Sequence, residues 1–287
     1  DTYNDGYLHI PRLDISTYGS SIIVDGNIQD KQLDINFVGD AVPIEPFIRD
    51  TGLNMVGYLG AEGHLGGTVD APIFEGTVQS DTMRVKDSTL HDIAGSVYVT
   101  PKVLHLQGLT FTGTGASRYE VKGGVQLEDE KRLFGYVRVR DGELKQLLAL
   151  GNIKVPDVNG KLQANIELGG TSANPRIDVK GSLEDVMIRD EVVGTATIDV
   201  GYGGRIFEIR TFKLPIKQGV IAGKGKADLD GSTDIQFVAS KVPVDTILPL
   251  VTKDVNGQGN WNFIINVNGT TRSPKVEFSS EVEQAVI

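Results

Sequence analysis

The chain has 287 residues, with 28 Lys and Arg against 38 Asp and Glu (net charge −10), 35 Gly, 11 Pro and no Cys. Ordinary apolar content argues against disorder, and the lack of Cys excludes disulfides, thiolate metal sites and Cys nucleophiles. An acidic chain without a basic cluster is a poor partner for nucleic acid or anionic membrane surfaces, and no apolar run reaches the ~18 residues of a membrane-spanning helix.

Gly is about 12% of the chain against a usual ~7% and follows no Gly-X-Y period, which fits many tight turns between strands. The chain opens in mid-pattern at Asp1-Thr2-Tyr3. It reads as a fragment or processed form, so any anchor or targeting signal would lie outside it.

In chain order, Leu13-Asp-Ile15 leads into Ile22-Ile-Val24-Asp-Gly26, and Val42-Pro-Ile-Glu-Pro-Phe-Ile48 reads as a short amphipathic helix. A glycine-rich strand follows at Gly57–Gly67, then a turn closed by Pro72. Leu104 and Leu106 flank His105, and Leu109-Thr-Phe111 leads to Tyr119-Glu-Val121-Lys-Gly123. A second short helix is expected at Gly142–Leu150. In the strand after it, Leu162, Ala164, Ile166 and Leu168 share one face, with Gln163, Asn165 and Glu167 on the other. Ile198 and Val200 flank Asp199, Phe207 and Ile209 flank Glu208, and Phe212-Lys-Leu214 leads to Gly219–Gly223. A third short helix is expected at Val242–Leu250, then a strand with Trp261, Phe263, Ile265 and Val267 facing one way.

Landmarks recur. Gly57, Gly160 and Gly259 are 103 and 99 residues apart, and so are Pro72, Pro175 and Pro274. This self-similarity predicts ~100-residue repeats with one short helix each. Segment 1–66 is then the tail of one repeat, 67–169 and 170–268 are full repeats, and 269–287 starts another, all in one continuous domain.

Period-two alternation predicts an all-β fold, an elongated antiparallel sheet with one dry and one wet face. At ~11 residues per strand and turn, roughly 25 strands are expected. No long amphipathic helix is available to cover the dry face. That face must close on itself, meet a second sheet, or meet an apolar ligand.

Three features carry a family resemblance: the Gly-Gly-Thr-x-x-x-Pro turn at Gly66–Pro72, matched at Gly169–Pro175 and at Asn268–Pro274 with Asn in first place; Leu-x-Leu followed by Gly-x-Gly; and the Val-Pro-x-x-x-(Phe/Leu) helix. In these the chain resembles the TamB and AsmA-like family of diderm bacterial envelope proteins. The resemblance implies a sheet folded lengthwise into a trough, β-taco-like, with an apolar interior. It implies a periplasmic protein anchored in the inner membrane by a missing N-terminal segment, which moves phospholipid between the two membranes and serves outer-membrane biogenesis with a BamA-like barrel as partner. The family has no known catalytic residues, so neither an enzyme nor a cofactor is expected.

Alternation then assigns the groove lining, with phospholipid acyl chains as the partner. In the first half these are Leu59, Leu65, Leu104, Leu106, Leu109 and Phe111. Next come Leu162, Ile166, Leu168, Ile198, Val200, Phe207, Ile209, Phe212 and Leu214. Trp261, Phe263, Ile265 and Val267 complete the set. Trp261, the single Trp, reads equally as a groove plug or as a core anchor.

Two other functions compete. One is a chaperone-like scaffold for outer-membrane protein assembly, offering sheet edges by β-augmentation. The other is a polysaccharide-binding β-solenoid, disfavoured by the ~100-residue period and by aromatics at only 7%.

Other chemistry is weakly supported. His9, His64, His91 and His105 lack metal-ligand spacing, and His105 belongs on the wet face. Gly219-Val-Ile-Ala-Gly223-Lys224 departs from a phosphate loop in spacing and is followed by Gly225, so it reads as a strand with Gly at a bend. Asp228–Asp234 lacks the closing Glu of a calcium loop and reads as a turn. Glu128, Asp129 and Glu130 read as a solvated turn, and Asn268-Gly269-Thr270 is a glycosylation sequon by letters only.

Overall fold

The computed structural model describes residues 2–4, 6–17, 19–48, 54–86, 88–128, 130–150, 158–188, 191–246 and 257–286. The fold is all-β and antiparallel, with two short helices. The chain forms two compact units, Asp1–Val137 and Arg138–Ile287.

The first unit holds β1 (Thr2–Asn4), β2 (Tyr7–Thr17), β3 (Ser20–Gln29), β4 (Gln32–Pro43), α1 (Glu45–Ile48), β5 (Met55–Thr68), β6 (Ala71–Val85), β7 (Ser88–Val99), β8 (Val103–Thr112) and β9 (Arg118–Gln126). Each strand pairs with the next. The unit limit falls inside β10 (Leu133–Glu143). The second unit continues with α2 (Leu144–Leu150), β11 (Val158–Gly170), β12 (Pro175–Ile188), β13 (Glu191–Gly203), β14 (Ile206–Ile216), β15 (Gly219–Asp228), β16 (Ser232–Pro243), β17 (Gln258–Thr270) and β18 (Ser273–Val286). From β11 to β18 each strand again pairs with the next. Neither unit closes into a barrel. Among the described residues no helix is long and apolar enough to cross a membrane.

Among the described residues eighteen strands stand in place of the expected ~25. They are longer than expected, up to 15 residues in β6, because they run through bulges. Leu104, Leu106, Leu109 and Phe111 all lie on β8, with a register shift between Leu106 and Leu109. Bulging backbone takes left-handed φ at Ala41, Asp92, Asp141, Asp185 and Lys241. Three of these five are Asp, whose short polar side chain tolerates that region.

The expected helices shrink at their starts. Val42-Pro43 and Val242-Pro243 end β4 and β16, where Val42 faces Leu59 and Val242 faces Trp261. Apolar burial holds these residues in the sheet, and Pro at a strand end loses no ladder bond within the strand. The third helical turn spans 244–246, and the rest of that expected helix, 247–250, lies outside the described residues. Six strands separate α1 from α2, and six more separate α2 from this turn.

The Gly-Gly-Thr turn has the same construction three times. Gly67 pairs with Pro72, Gly170 with Pro175 and Gly269 with Pro274. These glycines have φ of 75°, 77° and 101°, a region that favours residues without Cβ. The hydroxyls of Thr68, Thr171 and Thr270 accept hydrogen bonds from the backbone N–H of Ala71, Asn174 and Ser273 at 3.0, 3.1 and 3.2 Å. The Thr of the motif thus braces each turn by a side-chain bond to the backbone three residues on. The expected repeat limits at 66/67 and 169/170 fall near the ends of β5 and β11.

Candidate functional site

Cross-strand partners project their side chains to the same face, so the registers trace that face directly. In the second unit one row runs Ile166, Val179, Val200, Ile209, Gly225, Ile235, Val267, Val276, from β11 to β18. Beside it runs Ala164, Gly181, Ile198, Phe212, Gly223, Phe237, Ile265, Phe278. Leu168 heads a third row through Ile177, Tyr202 and Phe207. Leu162 faces Leu183, Leu214 faces Ile221, and Phe263 faces Ala239. All thirteen lining positions predicted in this unit therefore lie on one face. No Asp, Glu, Lys, Arg or His stands in these rows.

The first unit repeats the arrangement. Ile35, Leu65, Phe74, Val99, Leu104 and Val125 form one row, and Phe37, Gly63, Gly76, Val97, Leu106 and Gly123 the next. Leu109 lies between Gly95 and Val121. Leu59 faces Val42, and Phe111 stacks on Tyr119 with ring centroids 4.8 Å apart. The other members of these rows, such as Val179, Ile235, Phe237 and Phe74, went unassigned from the sequence. The same alternation in β6, β12 and β16 marks them.

Glycines on this face seat the aromatic rings. A Cβ on Gly63 would lie 2.8 Å from the Phe74 ring, and one on Gly223 would lie 2.5 Å from the Phe237 ring. Each ring lies across a neighbouring strand that carries no side chain at that point, so part of the glycine excess serves packing as well as turns.

Burial along the face is graded. At the helix-bearing end the side chains pack on one another. Val186, Val193, Ala196, Leu214, Ile216, Ala239 and Val242 form a buried cluster in the second unit. Met83, Ile93 and Tyr119 are buried at the matching end of the first unit. At the opposite end, Leu104, Ile206, Val276 and Phe278 are 36, 42, 66 and 57% exposed. Trp261 sits toward the packed end, edge-on to Phe263 at 5.5 Å, and its buried Nε1 has no acceptor among the described residues.

The opposite face is polar and internally paired. Arg210 spans Asp199 at 2.6 Å and Asp178 at 2.9 Å, Arg176 reaches Asp178 at 2.7 Å, and Lys226 reaches Glu208 at 3.1 Å. The hydrogen bond from Arg176, helped by that from Arg210, holds the Asp178 carboxyl below its ordinary range against the opposing effect of burial. Asp199 likewise raises Arg210. An open cleft of about 880 Å³ over β14–β16 is lined by Glu208, Arg210, Lys224, Lys226, Asp228 and Asp234.

His105 lies on this polar face, 5.6 Å from the Phe134 ring, and His64 bonds Asp34 at 2.9 Å. Gly219–Gly225 is the body of β15. The turn at Asp228–Asp234 is tied by an ion pair from Arg205 to Asp230 and a hydrogen bond from the Thr271 hydroxyl to the Asp228 carbonyl. Glu128 pairs with Lys102 at 3.3 Å and Glu130 with Arg132 at 3.8 Å, while Asp129 lies outside the described residues. Among the described residues no group of three His, Asp or Glu is placed to hold a metal ion.

Comparison with protein-family models, with curated proteins and with solved structures gives no match to the chain.

Proposed function

We propose that the chain is a segment of a periplasmic lipid-transfer protein whose apolar sheet face receives phospholipid acyl chains on their way between the inner and outer membranes. The observation that carries this reading is the set of cross-strand rows from β11 to β18, apolar throughout and free of ionisable groups. Each acyl CH₂ removed from water gains ~0.8 kcal/mol. Rows without a charge or an unsatisfied amide offer that gain at successive positions without a trap, so a chain can shift along them. The graded burial supports the same reading: the packed end stabilises the unit, and the exposed end leaves apolar side chains for hydrocarbon to cover.

In this proposal the sheet is folded lengthwise into a trough built from ~100-residue repeats. The recurrence of one helix every six strands and the thrice-repeated Thr-braced turn support that organisation. The inner-membrane anchor, the BamA-like barrel partner and the role in outer-membrane biogenesis rest on the family resemblance.

Mass spectrometry of organic extracts of the purified protein tests the reading. Phospholipid is expected with the wild type and with Asn165→Asp on the polar face. It should be lost from Ile166→Asp, because an ion facing hydrocarbon costs several kcal/mol. Equal lipid in Ile166→Asp and wild type, or none in either, refutes it.

A further inference from the structure

The turns at the exposed end of the apolar rows repeat one device three times. The backbone N–H of Val69, Leu127 and Leu229 donates to the carbonyl of Lys31, Lys102 and Arg205, each on the turn before it along the same margin, at 2.9, 2.7 and 3.0 Å. The residue after each apolar one is acidic and pairs with the same cation. Asp70 reaches Lys31 and Glu128 reaches Lys102, both at 3.3 Å, and Asp230 pairs with Arg205. Asp230 also lies 3.9 Å from Arg272. All six charged side chains of the three pairs are exposed, and Val69, Leu127 and Leu229 beside them are 55, 41 and 44% exposed.

These turns adjoin the apolar rows. Lys102 stands two residues before Leu104, Arg205 immediately before Ile206, and Val69-Asp70 midway between Leu65 and Phe74. An acyl chain on the exposed end of a row therefore brings its head group to this margin. Water screens both partners of an exposed ion pair, so such a pair is weak and opens at little cost. A head group that carries a phosphate and an ammonium replaces both halves of the pair. An anionic head group without an ammonium meets the cation only. It leaves the carboxylate unpaired beside a second negative charge, on a chain of net charge −10. The exposed apolar residue of each turn covers the first carbons below the head group.

We infer that this margin selects zwitterionic phospholipids, with Lys31, Lys102 or Arg205 taking the head-group phosphate and Asp70, Glu128 or Asp230 the ammonium. The inference rests on the proposal that acyl chains occupy the apolar face and adds the head-group class to it.

Incubation with vesicles of equimolar phosphatidylethanolamine and phosphatidylglycerol of identical acyl chains, followed by mass spectrometry of the lipid on the re-isolated protein, tests it. The wild type should carry phosphatidylethanolamine in at least about threefold excess, the scale of one exposed ion pair. The variant Asp70→Lys, Glu128→Lys, Asp230→Lys should reverse the preference. Asp40→Lys, Glu62→Lys, Asp81→Lys changes net charge equally but lies away from these turns, and should keep it. A variant that exchanges the two residues within each pair (Lys31 with Asp70, Lys102 with Glu128, Arg205 with Asp230) leaves the margin balanced and should also keep it. Urea midpoints show whether each variant is folded. Equal amounts of the two lipids on the wild type, or equal effects of the two Lys variants, would overturn the inference and leave acyl-chain binding standing. No lipid of either class on the wild type would overturn both.

Discussion

Truncation at the two ends of the apolar face should have very different consequences. Leu214 on β14 is 4% exposed and belongs to the cluster with Val186, Ile216 and Val242. Leu214→Ala removes about three methylene equivalents, or ~2.4 kcal/mol at ~0.8 each. One wall of the resulting cavity is backbone, because a Cβ on Gly194 would already lie 3.6 Å from Leu214 Cδ1, so collapse is restricted. The full cost should be about 3 kcal/mol, within the range for buried Leu. Val276 on β18 is 66% exposed. Val276→Ala removes about two methylene equivalents of which only a third is shielded, so ~0.5 kcal/mol is expected. Urea unfolding can be followed by Trp261 on β17, the one Trp of the chain, and midpoints compared at a common slope give the two differences. If Leu214→Ala costs under ~1 kcal/mol, or no more than Val276→Ala, the graded packing described for this face is wrong.

Further predictions concern backbone and charge. Gly225 has φ of 146° and a Cβ there would lie 2.3 Å from the Asp234 carbonyl oxygen, so Gly225→Ala should destabilise the second unit by ~2 kcal/mol or more. Gly169 has nothing within 4 Å of its Cβ position, and Gly169→Ala should stay within about 1 kcal/mol of wild type; urea midpoints separate the two. The Asp178 carboxyl lies below its ordinary value in the folded chain, chiefly through Arg176. The unfolded chain therefore takes up that proton first on acidification, and the stability Asp178 contributes is full above its unfolded value and lost as pH falls through the lower folded one. Urea midpoints should fall more steeply below about pH 4 for wild type than for Asp178→Asn, and identical profiles would show that Asp178 contributes nothing.

Much of the apolar face is legible in the sequence because its period is two. Leu162, Ala164, Ile166 and Leu168 need no partner strand to reveal their side. Even the bulges leave a trace: the three-residue steps Leu106 to Leu109 and Ile209 to Phe212 are where an extra residue keeps apolar groups on the same face. Burial is not legible in this way. Leu162 and Val267 look alike as alternating residues, yet Leu162 is buried and Val267 only half-buried, because that depends on where the sheet packs on itself. The Val-Pro pairs misled for a related reason: Val242 is held in β16 by Trp261 across the ladder, a contact remote in sequence.

Trp261 stands on the apolar face, so its fluorescence in the presence of phospholipid with brominated acyl chains tests the lipid proposal most directly. Strong quenching is predicted, relieved when unbrominated phospholipid competes and absent when bromine is carried only on a soluble short-chain compound too polar to lie on the face. Emission unchanged by brominated acyl chains at saturating lipid would contradict the proposal that hydrocarbon occupies this surface.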